Sequence, residues 1–325
     1  MEITYKTTGV DFDCDNKINN HLEKILDIDL VKNFASLFYI SKSNSQKNVA
    51  LAATCDGVGT KIIPLLKYKM FKTIANDLVA MNFNDLATKG AYPLFFLDYI
   101  ANNNISVESL KIFLTELNNI LKKYNCKLLG GETSQMKDII KESIFDVCGF
   151  VVGQSMVDEN NEKKIEPNDI IVGLKSNGIH SNGFTLIRKL YETKQLSEIQ
   201  LIETLKPTYI YINEILELFK LNIIKKVANI TGGGLYGNVS RIIPNGLRAS
   251  ISKNIVLNNM DNIFVKLINI IGEKEAFNVF NMGIGMVLVI DKCKYDIVKQ
   301  ICQKYNPIII GEIIRDDENC NFCFK

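Results

Sequence analysis

The sequence predicts an α/β (α+β) protein built from two domains. Amphipathic helical patterns alternate with short apolar runs that read as strands along most of the chain. A chain of 325 residues, 47% of them hydrophobic, is long enough to form two cores. One composition break, the charged and apolar-poor stretch Asp158–Asp169, contains Pro167 and separates the two patterns. We therefore expect an N-terminal domain over residues 1–168 and a C-terminal domain over residues 169–325.

Composition excludes several classes of function. The net charge is +2 and the basic residues form no cluster, which argues against a nucleic-acid partner. No apolar run reaches the length needed to span a bilayer. The eight cysteines follow no disulfide pattern and no signal peptide is evident, so we expect free thiols in a reducing, cytoplasmic compartment.

The N-terminal half contains helices and strands in alternation. An apolar period over residues 21–40 predicts an amphipathic helix. A second helix is predicted from Asn76 until Gly90 interrupts it, and a third begins after Ser106, which is suited to be its N-cap. The predicted strands of this half are Val49–Ala53, Leu94–Leu97, Cys126–Leu129 and Phe145–Val152.

The C-terminal half repeats the alternation with different loops. Helices are predicted over Phe184–Tyr191, with Ser181 or Asn182 as the cap, and over Thr208–Phe219. The predicted strands are Ile170–Leu174, Val227–Ile230, Met286–Ile290 and Ile308–Ile314.

Three carboxylates lie in one apolar stretch, Asn76–Asp98, which contains Asp77, Asp85 and Asp98. A carboxylate among apolar side chains is costly unless it is paired, and Mg2+ is a natural partner because hard cations prefer carboxylate oxygens. The alternative is that Asp77 ends a turn and the others face solvent. The stretch by itself leaves both interpretations open.

Glycine-rich loops supply candidate anion sites. Asp56-Gly57-Val58-Gly59-Thr60-Lys61 follows a predicted strand and could present backbone N–H groups to a phosphate, although it lacks the spacing of a P-loop. An ordinary glycine turn with a surface lysine explains the same residues. After the Cys126–Leu129 strand, Gly131 allows close approach to the backbone and Glu132 offers another carboxylate.

Two further loops lie in the C-terminal half. His180 precedes a predicted helix whose N-terminus could bind an anion, and this histidine could equally be functional or structural. Gly232, Gly234 and Gly237 match GxGxxG, but the loop comes late in the chain and lacks the acidic residue that a dinucleotide site requires. The residues together predict a phosphate-handling, Mg2+-dependent and ATP-using protein.

The chain resembles the phosphoribosylformylglycinamidine cyclo-ligase family of purine biosynthesis. Nine ordered segments carry this resemblance: YKTTGVD (5–11), DGVGTK (56–61), NDLVAMNFNDLATKGAYPLFFLDY (76–99), LLGGETSQM (128–136), SNGIHSNGFTLIRK (176–189), KPTYIYI (206–212), ITGGGLYGN (230–238), FNMGIGMVLV (280–289) and GEI (311–313). The resemblance implies an ATP-binding synthetase whose N-terminal sheet domain forms a barrel across a homodimer. It implies ATP, Mg2+ and a small nucleotide substrate in the cleft between the domains.

Site residues follow from the resemblance, position by position. The metal ligands would be Asp56, Asp77, Asp85 and Glu132. The nucleotide contacts would be Gly57, Gly59, Thr60, Lys61, Asn84, Gly131, Ser181, Asn182, Gly232, Gly233 and Gly234, together with Asp56 and Asp77. The residues expected to act in catalysis are His180, Asp77 and Lys61.

The chain departs from the family pattern in three places. Asn229 stands where a histidine is usual, residues 32–40 lack a glycine-rich segment, and Ser134-Gln135-Met136-Lys137 replaces an acidic Pro-Gly turn. Asn229 cannot shuttle protons, so any acid–base role at that position is lost. Two alternatives therefore stand beside the cyclo-ligase: another ATP-dependent enzyme of the same superfamily, and a non-catalytic paralogue that serves as a binding subunit.

Overall fold

The computed structural model describes residues 4–10, 17–18, 21, 34–40, 49–157, 163–316 and 320–325. Within these ranges the strands are β1 Ser36–Ile40, β2 Val49–Gly57, β3 Ala91–Asn103, β4 Lys127–Gln135, β5 Ile144–Ser155, β6 Ile170–Lys175, β7 Ile224–Asn229, β8 Leu247–Ile251, β9 Ile284–Ile290, β10 Ile308–Arg315 and β11 Phe322–Phe324. The helices are α1 Ile62–Lys67, α2 Phe71–Thr88, α3 Val107–Lys123, α4 Phe184–Glu192, α5 Glu198–Thr204, α6 Ile212–Lys220, α7 Gly234–Val239, α8 Lys253–Asn259, α9 Asn262–Ile271, α10 Glu273–Val279 and α11 Tyr295–Ile301.

The N-terminal half forms a five-stranded sheet with the order β1-β2-β5-β3-β4. Its pairings are antiparallel except for the parallel pair β3–β4. Helix α3 begins at Ser106, whose hydroxyl accepts a hydrogen bond from the Ser109 N–H, and it buries Phe113 and Leu117. The predicted cap and apolar stripe of this helix are therefore confirmed.

Helix α2 lies directly on the inner face of this sheet because β5 carries glycines at the crossing. A Cβ at Gly149 would lie 2.7 Å from Asn82 Nδ2, and a Cβ at Gly153 would lie 2.7 Å from Leu86 Cδ2. Thirteen of the 18 residues of α2 are buried, which is typical of a helix covered on most sides. Its far side packs on the C-terminal half, so α2 is the central element of both domains.

The C-terminal half forms a six-stranded sheet with the order β11-β8-β10-β6-β9-β7. All pairs are antiparallel except β11–β8. Strand β9 is buried along its whole length, which explains its unbroken apolar run. One continuous apolar core includes residues of both sheets.

Most predicted elements are present, and the differences have physical causes. The helix predicted over residues 21–40 is wrong at its end, because Ser36–Ile40 pairs with β2 as an edge strand; residues 22–33 lie outside the described ranges. Strand β4 continues through the Gly130–Thr133 run, where a loop was expected, because β3 provides a partner throughout. Helix α6 begins at Ile212 and not at Thr208, since residues 206–211 are held in another conformation by α2.

Candidate active site

A cavity of about 410 Å³ lies where the two domains meet. The N-terminal domain contributes the end of β2 and the loop after it. The C-terminal domain contributes the turn before α4 and Thr231. Lining residues that the sequence predicted are Asp56, Gly57, Gly59, Ser181 and Asn182. Other lining residues, which the sequence did not single out, are Val58, Met81, Asp146, Val147, Cys148 and Thr231. The structure therefore brings acidic and glycine-rich segments from both halves to one place.

The loop after β2 is shaped by contacts on both of its sides. Asp56 Oδ1 accepts a hydrogen bond of 2.7 Å from the Gly57 N–H, and Gly59 has a positive φ of 67°. Thr60 Oγ1 lies 3.1 Å from Thr185 Oγ1 in the first turn of α4. The loop and the α4 N-terminus are thus joined directly, with the cavity beside them.

Asp56, which lines this cavity, and Asp85, on α2 within electrostatic range of Asp56, both carry raised pKa values. Burial raises the pKa of Asp56 to about 6, against a weaker opposing effect of the Gly57 N–H. Burial raises the pKa of Asp85 to about 8, and the charge of Asp56 adds to that rise. Since both shifts reflect missing compensation for negative charge, a cation bound here would be stabilised.

Asn82, three residues before Asp85 on α2, contacts the backbone of Asp56. Its Nδ2 donates to the backbone oxygens of Asp56 and Leu78, at 3.1 and 2.9 Å. Its Oδ1 is buried and has no hydrogen-bond partner. A buried acceptor without a partner costs about 1–3 kcal/mol, so an additional ligand at this point would be favourable. Asn229 holds Asp85 from the other domain through a 2.8 Å bond from Nδ2 to Oδ1.

Asp77 and Lys61 form a buried ion pair at the domain junction. Lys61 Nζ lies 2.7 Å from Asp77 Oδ2, and neither side chain is exposed to solvent. Lys61 Nζ also donates to the Lys206 carbonyl at 2.7 Å, and Asp77 Oδ1 accepts from the Thr208 N–H at 2.7 Å. Both groups are engaged inside the domain junction, and the roles of Asp77 as a metal ligand and of Lys61 as a phosphate contact stay predictions.

The Asn84 side chain also binds groups at the domain junction, and Asn84 does not line the cavity. Its Nδ2 donates to the Tyr209 carbonyl at 2.8 Å and its Oδ1 accepts from the Tyr211 N–H at 3.0 Å. The neighbouring Asn76 binds the Thr208 carbonyl at 2.8 Å. The polar face of α2 therefore binds the backbone of residues 206–211, which we call the interdomain strap. The prediction that Asn84 binds the cofactor gains no support from these contacts and stays a prediction.

His180 is buried and its contacts support a tight turn, and its catalytic role stays a prediction. Its Nε2 accepts a 3.0 Å hydrogen bond from the Asn177 N–H, and its φ of 59° places it in a tight turn. Burial, aided by the charge of Lys61, lowers the pKa of His180 to about 3. In this arrangement the imidazole is neutral and its lone pair is occupied, which favours support of the turn over proton transfer.

Ser181 and Asn182 line the cavity but do not cap α4. The N-cap position is Gly183, in a left-handed conformation and without a side-chain hydrogen bond to the helix. Ser181 Oγ instead lies 3.1 Å from Thr208 Oγ1 on the interdomain strap. The N–H groups at the start of α4 remain without a capping side chain, which preserves them for an anion.

Glu132 and Gly131 lie away from the other predicted site residues. The strand register aligns Asp56 with Gly149, Asp98 and Gly131, and it aligns Gly57 with Cys148, Tyr99 and Glu132. Asp56 and Glu132 are therefore about 14 Å apart, three strand spacings, and they point to opposite faces of the sheet. Within one chain Glu132 cannot share a metal ion with Asp56. Gly131 is required where it packs, because a Cβ would lie 2.3 Å from the Asp98 carbonyl oxygen.

The glycine loop after β7 is supported by a side chain that the sequence did not single out. Asn238 Nδ2 donates to the carbonyls of Gly232 and Gly234, at 3.2 and 2.8 Å. A Cβ at Gly234 would lie 2.1 Å from the Phe277 carbonyl oxygen, so this glycine is needed for packing on the helix pair behind it. Contacts of Gly232 and Gly233 with a nucleotide stay a prediction.

Two findings of absence concern metal binding and membrane spans. Among the described residues, no three His, Cys, Asp or Glu side chains are grouped in a way that could hold a metal ion. In the same part of the chain, no helix is long and apolar enough to cross a membrane. Any metal at the junction would therefore need ligands other than a third such side chain.

A larger cleft, of about 1550 Å³, lies at the other end of α2 and does not contain the predicted site residues. Lys225, one of its lining residues, is paired with Asp169 at 2.8 Å and Asp291 at 2.9 Å. Because Asp169 and Asp291 neutralise the charge of Lys225, the larger volume of this cleft does not make it the stronger candidate for the active site.

The fold and this junction define a class of two-domain α/β proteins with an acidic N-terminal wall and glycine-rich C-terminal loops around one cavity. The chain belongs to the AIR synthase related family: the model of the N-terminal domain of that family matches residues 36–155, and the model of its C-terminal domain matches residues 166–319.

Relatives and solved structures agree with this assignment. The chain is 35% identical to a phosphoribosylformylglycinamidine cyclo-ligase of Alkaliphilus metalliredigens, over 100% of this chain and 99% of the relative. It is 38% identical to the enzyme of the same name from Prochlorococcus marinus strain MIT 9215, over 96% of each. The structure of the HypE-HypF complex shares the fold with a TM-score of 0.65 at 16% identity, covering 92% of this chain and 93% of that chain. The structure of AaThiL complexed with AMPPCP and TMP shares it with a TM-score of 0.65 at 14% identity, covering 94% of this chain and 91% of that chain.

Proposed function

We propose that this protein is an ATP-dependent cyclo-ligase that converts formylglycinamidine ribonucleotide to aminoimidazole ribonucleotide, ADP and phosphate in purine biosynthesis. The γ-phosphoryl group of ATP is transferred to the formyl amide oxygen, an amidine nitrogen attacks the activated carbon, and phosphate leaves as the imidazole ring closes. The likeness to cyclo-ligases over nearly the whole chain supports this reaction. The observation that carries it is the junction cavity, which Asp56 and Asp146 line from the N-terminal domain and which Ser181 and Asn182, directly before the uncapped start of α4, line from the C-terminal domain.

Mg2+ fits the residues on the acidic wall. Asp56 and Asp85 supply carboxylates, and Asn82 supplies the buried oxygen that has no partner. Mg2+ in nucleotide sites is bound by one or two carboxylates together with phosphates and water, so a third acidic ligand is not required. When bound, the ion would neutralise phosphate charge.

The remaining groups bind and orient the substrates. The Gly57–Gly59 loop and Ser181–Asn182, directly before the uncapped start of α4, line the same cavity, and backbone N–H groups at such positions suit phosphate oxygens. Ser181 and Asn182 provide polar side chains there, and Thr60 is placed beside them by its contact with Thr185. With His180 and Lys61 buried, these residues favour the reaction by positioning the reacting groups and by binding developing charge.

We also propose a homodimer formed through the outer face of the N-terminal sheet. This face exposes large apolar side chains, with Tyr99 41%, Phe150 37% and Tyr92 37% exposed. Exposed apolar side chains on one face of a sheet are typical of an association surface. Glu132 is on the same face, so it would meet a second copy and could serve a site only between copies. We also propose that residues 1–168 and 169–325 form the two domains. We propose in addition that the protein is cytoplasmic.

Incubation of the purified protein with ATP, Mg2+ and formylglycinamidine ribonucleotide tests the reaction. We expect one ADP for each product, and a product mass lower than the substrate by one water. Asp56→Asn should remove most turnover, while Asp296→Asn, on the exposed surface of α11, is the matched control. ADP without that product would indicate another acceptor in the same superfamily, and nucleotide binding without ADP would indicate a non-catalytic binding subunit.

A further inference from the structure

The larger cleft, of about 1550 Å³, has a basic lining. Among the described residues that line it there is no Asp or Glu. The cationic residues that line it are Lys89, Lys163, Lys164, Lys225, Lys226 and Arg241. Lys225 is neutralised by Asp169 and Asp291, but the other cations give the wall of the cleft a single sign of charge. A concave surface of this kind attracts an anionic ligand.

Arg241 is a half-buried cation without a bonded counter-ion. Its guanidinium carbon lies 5.5 Å from the centroid of the Phe34 ring, and it makes no hydrogen bond or ion pair with any residue that the structure describes. Burial lowers the pKa of Arg241, and the charge of Asp85 opposes this shift. A guanidinium presents a planar fork of N–H donors that binds phosphate oxygens in pairs. A phosphate at this point would supply both hydrogen-bond acceptors and counter-charge.

The cleft and the junction cavity lie along the same face of α2. Met81 lines the cavity and Thr88 lines the cleft, and Asp85 comes between them on the helix. Residues at i, i+4 and i+7 share one face of a helix, and a step of seven residues corresponds to about 10 Å along its axis. A ligand with one end in the cleft can therefore extend its other end toward Asp85.

We propose that this cleft binds the ribose-phosphate end of the ribonucleotide substrate, with Arg241 as the phosphate contact, while ATP binds in the junction cavity. This choice of ligand rests on the proposed function, in which two nucleotides must react with each other. The junction cavity, of about 410 Å³, is within the range for one small-molecule ligand, so the second nucleotide needs another space. The cleft offers that space with the charge that a phosphate requires.

The phosphate of this substrate takes no part in the ring closure. Contacts with a non-reacting group hold the substrate so that its reacting end is correctly placed. Because the contact between Arg241 and the phosphate is the same in the bound substrate and in the transition state, its loss is expected to raise KM and to leave kcat largely unchanged.

Titration calorimetry with ribose 5-phosphate tests the site without turnover. The wild type should bind this ligand with the same affinity in the absence and in the presence of saturating Mg2+ and AMPPCP. Arg241→Met should weaken binding roughly tenfold or more, because charged hydrogen bonds to the phosphate are lost. Arg241→Lys keeps the charge but not the planar fork, so it should weaken binding by a smaller factor. Lys266→Met removes an exposed cation of α9 outside the cleft and is the matched control, with wild-type affinity expected.

Steady-state kinetics tests the same contact during the reaction. Arg241→Met should raise KM for formylglycinamidine ribonucleotide roughly tenfold or more, while kcat and KM for ATP change by about twofold or less. A residue that only supported Asp85 would lower kcat or raise KM for ATP instead, and that result would overturn the proposal. If Arg241→Met does not fold, Arg241→Lys provides the comparison, with a smaller rise in the same KM.

The two measurements separate this site from the proposed function. Ribose 5-phosphate that does not bind, that AMPPCP displaces, or that binds Arg241→Met as tightly as the wild type would overturn the phosphate site. Turnover with an unchanged KM for formylglycinamidine ribonucleotide in the Arg241 variants would also overturn it, and the proposed function would stand. Binding of ribose 5-phosphate that depends on Arg241, in a protein that does not convert formylglycinamidine ribonucleotide, would support the phosphate site and contradict the proposed function.

Discussion

Removing the charge of Asp77 should destabilise the protein strongly, even without any ligand. Asp77→Asn leaves an acceptor for the Thr208 N–H but takes the counter-charge away from Lys61, which is completely buried. Breaking a buried ion pair by removing one partner costs about 3–5 kcal/mol. For domains of this size that corresponds to a fall in Tm of roughly 6–20 °C.

Thermal unfolding of four variants, each compared with the wild type, tests this reasoning. Asp77→Asn and Lys61→Met should each lower Tm, and the double variant should recover part of the loss because it leaves neither charge buried alone. Asp296→Asn, an exposed control, should change the free energy of unfolding by about 0.5 kcal/mol or less. A metal ligand would behave in the opposite way: loss of its charge would be neutral or stabilising without Mg2+. A wild-type Tm for Asp77→Asn would therefore refute the assignment of Asp77 to the domain junction.

Three other predictions concern the site and its supports. Because the pKa of Asp85 is raised to about 8 from 3.8, the folded ligand-free protein binds a proton that the unfolded chain releases, so this group's contribution to stability falls as pH rises from about 4 to about 8. Asp85→Asn should reduce that decline, and equal slopes of Tm against pH in variant and wild type would contradict it. Thr208→Val removes the hydroxyl that contacts Ser181 Oγ and should raise KM by about fivefold for a loss of about 1 kcal/mol, while Thr208→Ser should preserve KM. Gly149→Ala would place a Cβ 2.2 Å from Phe96 Cζ and should cost about 1–3 kcal/mol in urea unfolding, whereas Gly237→Ala, with its nearest atom at 4.0 Å, should cost little.

Local elements could be predicted because their signals are local. The apolar stripe and Ser106 cap of α3, the unbroken apolar run of β9, and the end of α2 before Gly90 all depend on residues within a few positions of one another. The same is true of the loops at Asp56–Gly59 and Ser181–Asn182, whose glycines and polar residues predicted anion sites. Both loops do line the junction cavity.

The partners of polar side chains could not be predicted in the same way. Asp77, Asn82, Asn84 and Asp85 lie on one helix and have similar residue types, yet two bind the interdomain strap and two lie beside the candidate cation site. The difference depends on which side of α2 each residue occupies once the helix has the N-terminal sheet on one side and the C-terminal domain on the other. The spacing of the residues along α2 does not show which side will meet the N-terminal sheet and which will meet the C-terminal domain.

The amino-acid sequence by itself predicted helices α2, α3, α4 and α6, most strands, the two-part organisation and the family to which the chain is similar, because periodicity and ordered segments survive without contacts. Only the tertiary structure decided that Lys61 neutralises Asp77, that His180 is buried with its lone pair occupied, and that Glu132 faces away from Asp56. The physical reason is that charge compensation, burial and strand register arise between residues far apart in the chain. Whether a carboxylate binds a lysine or a cation therefore depends on the folded environment around it.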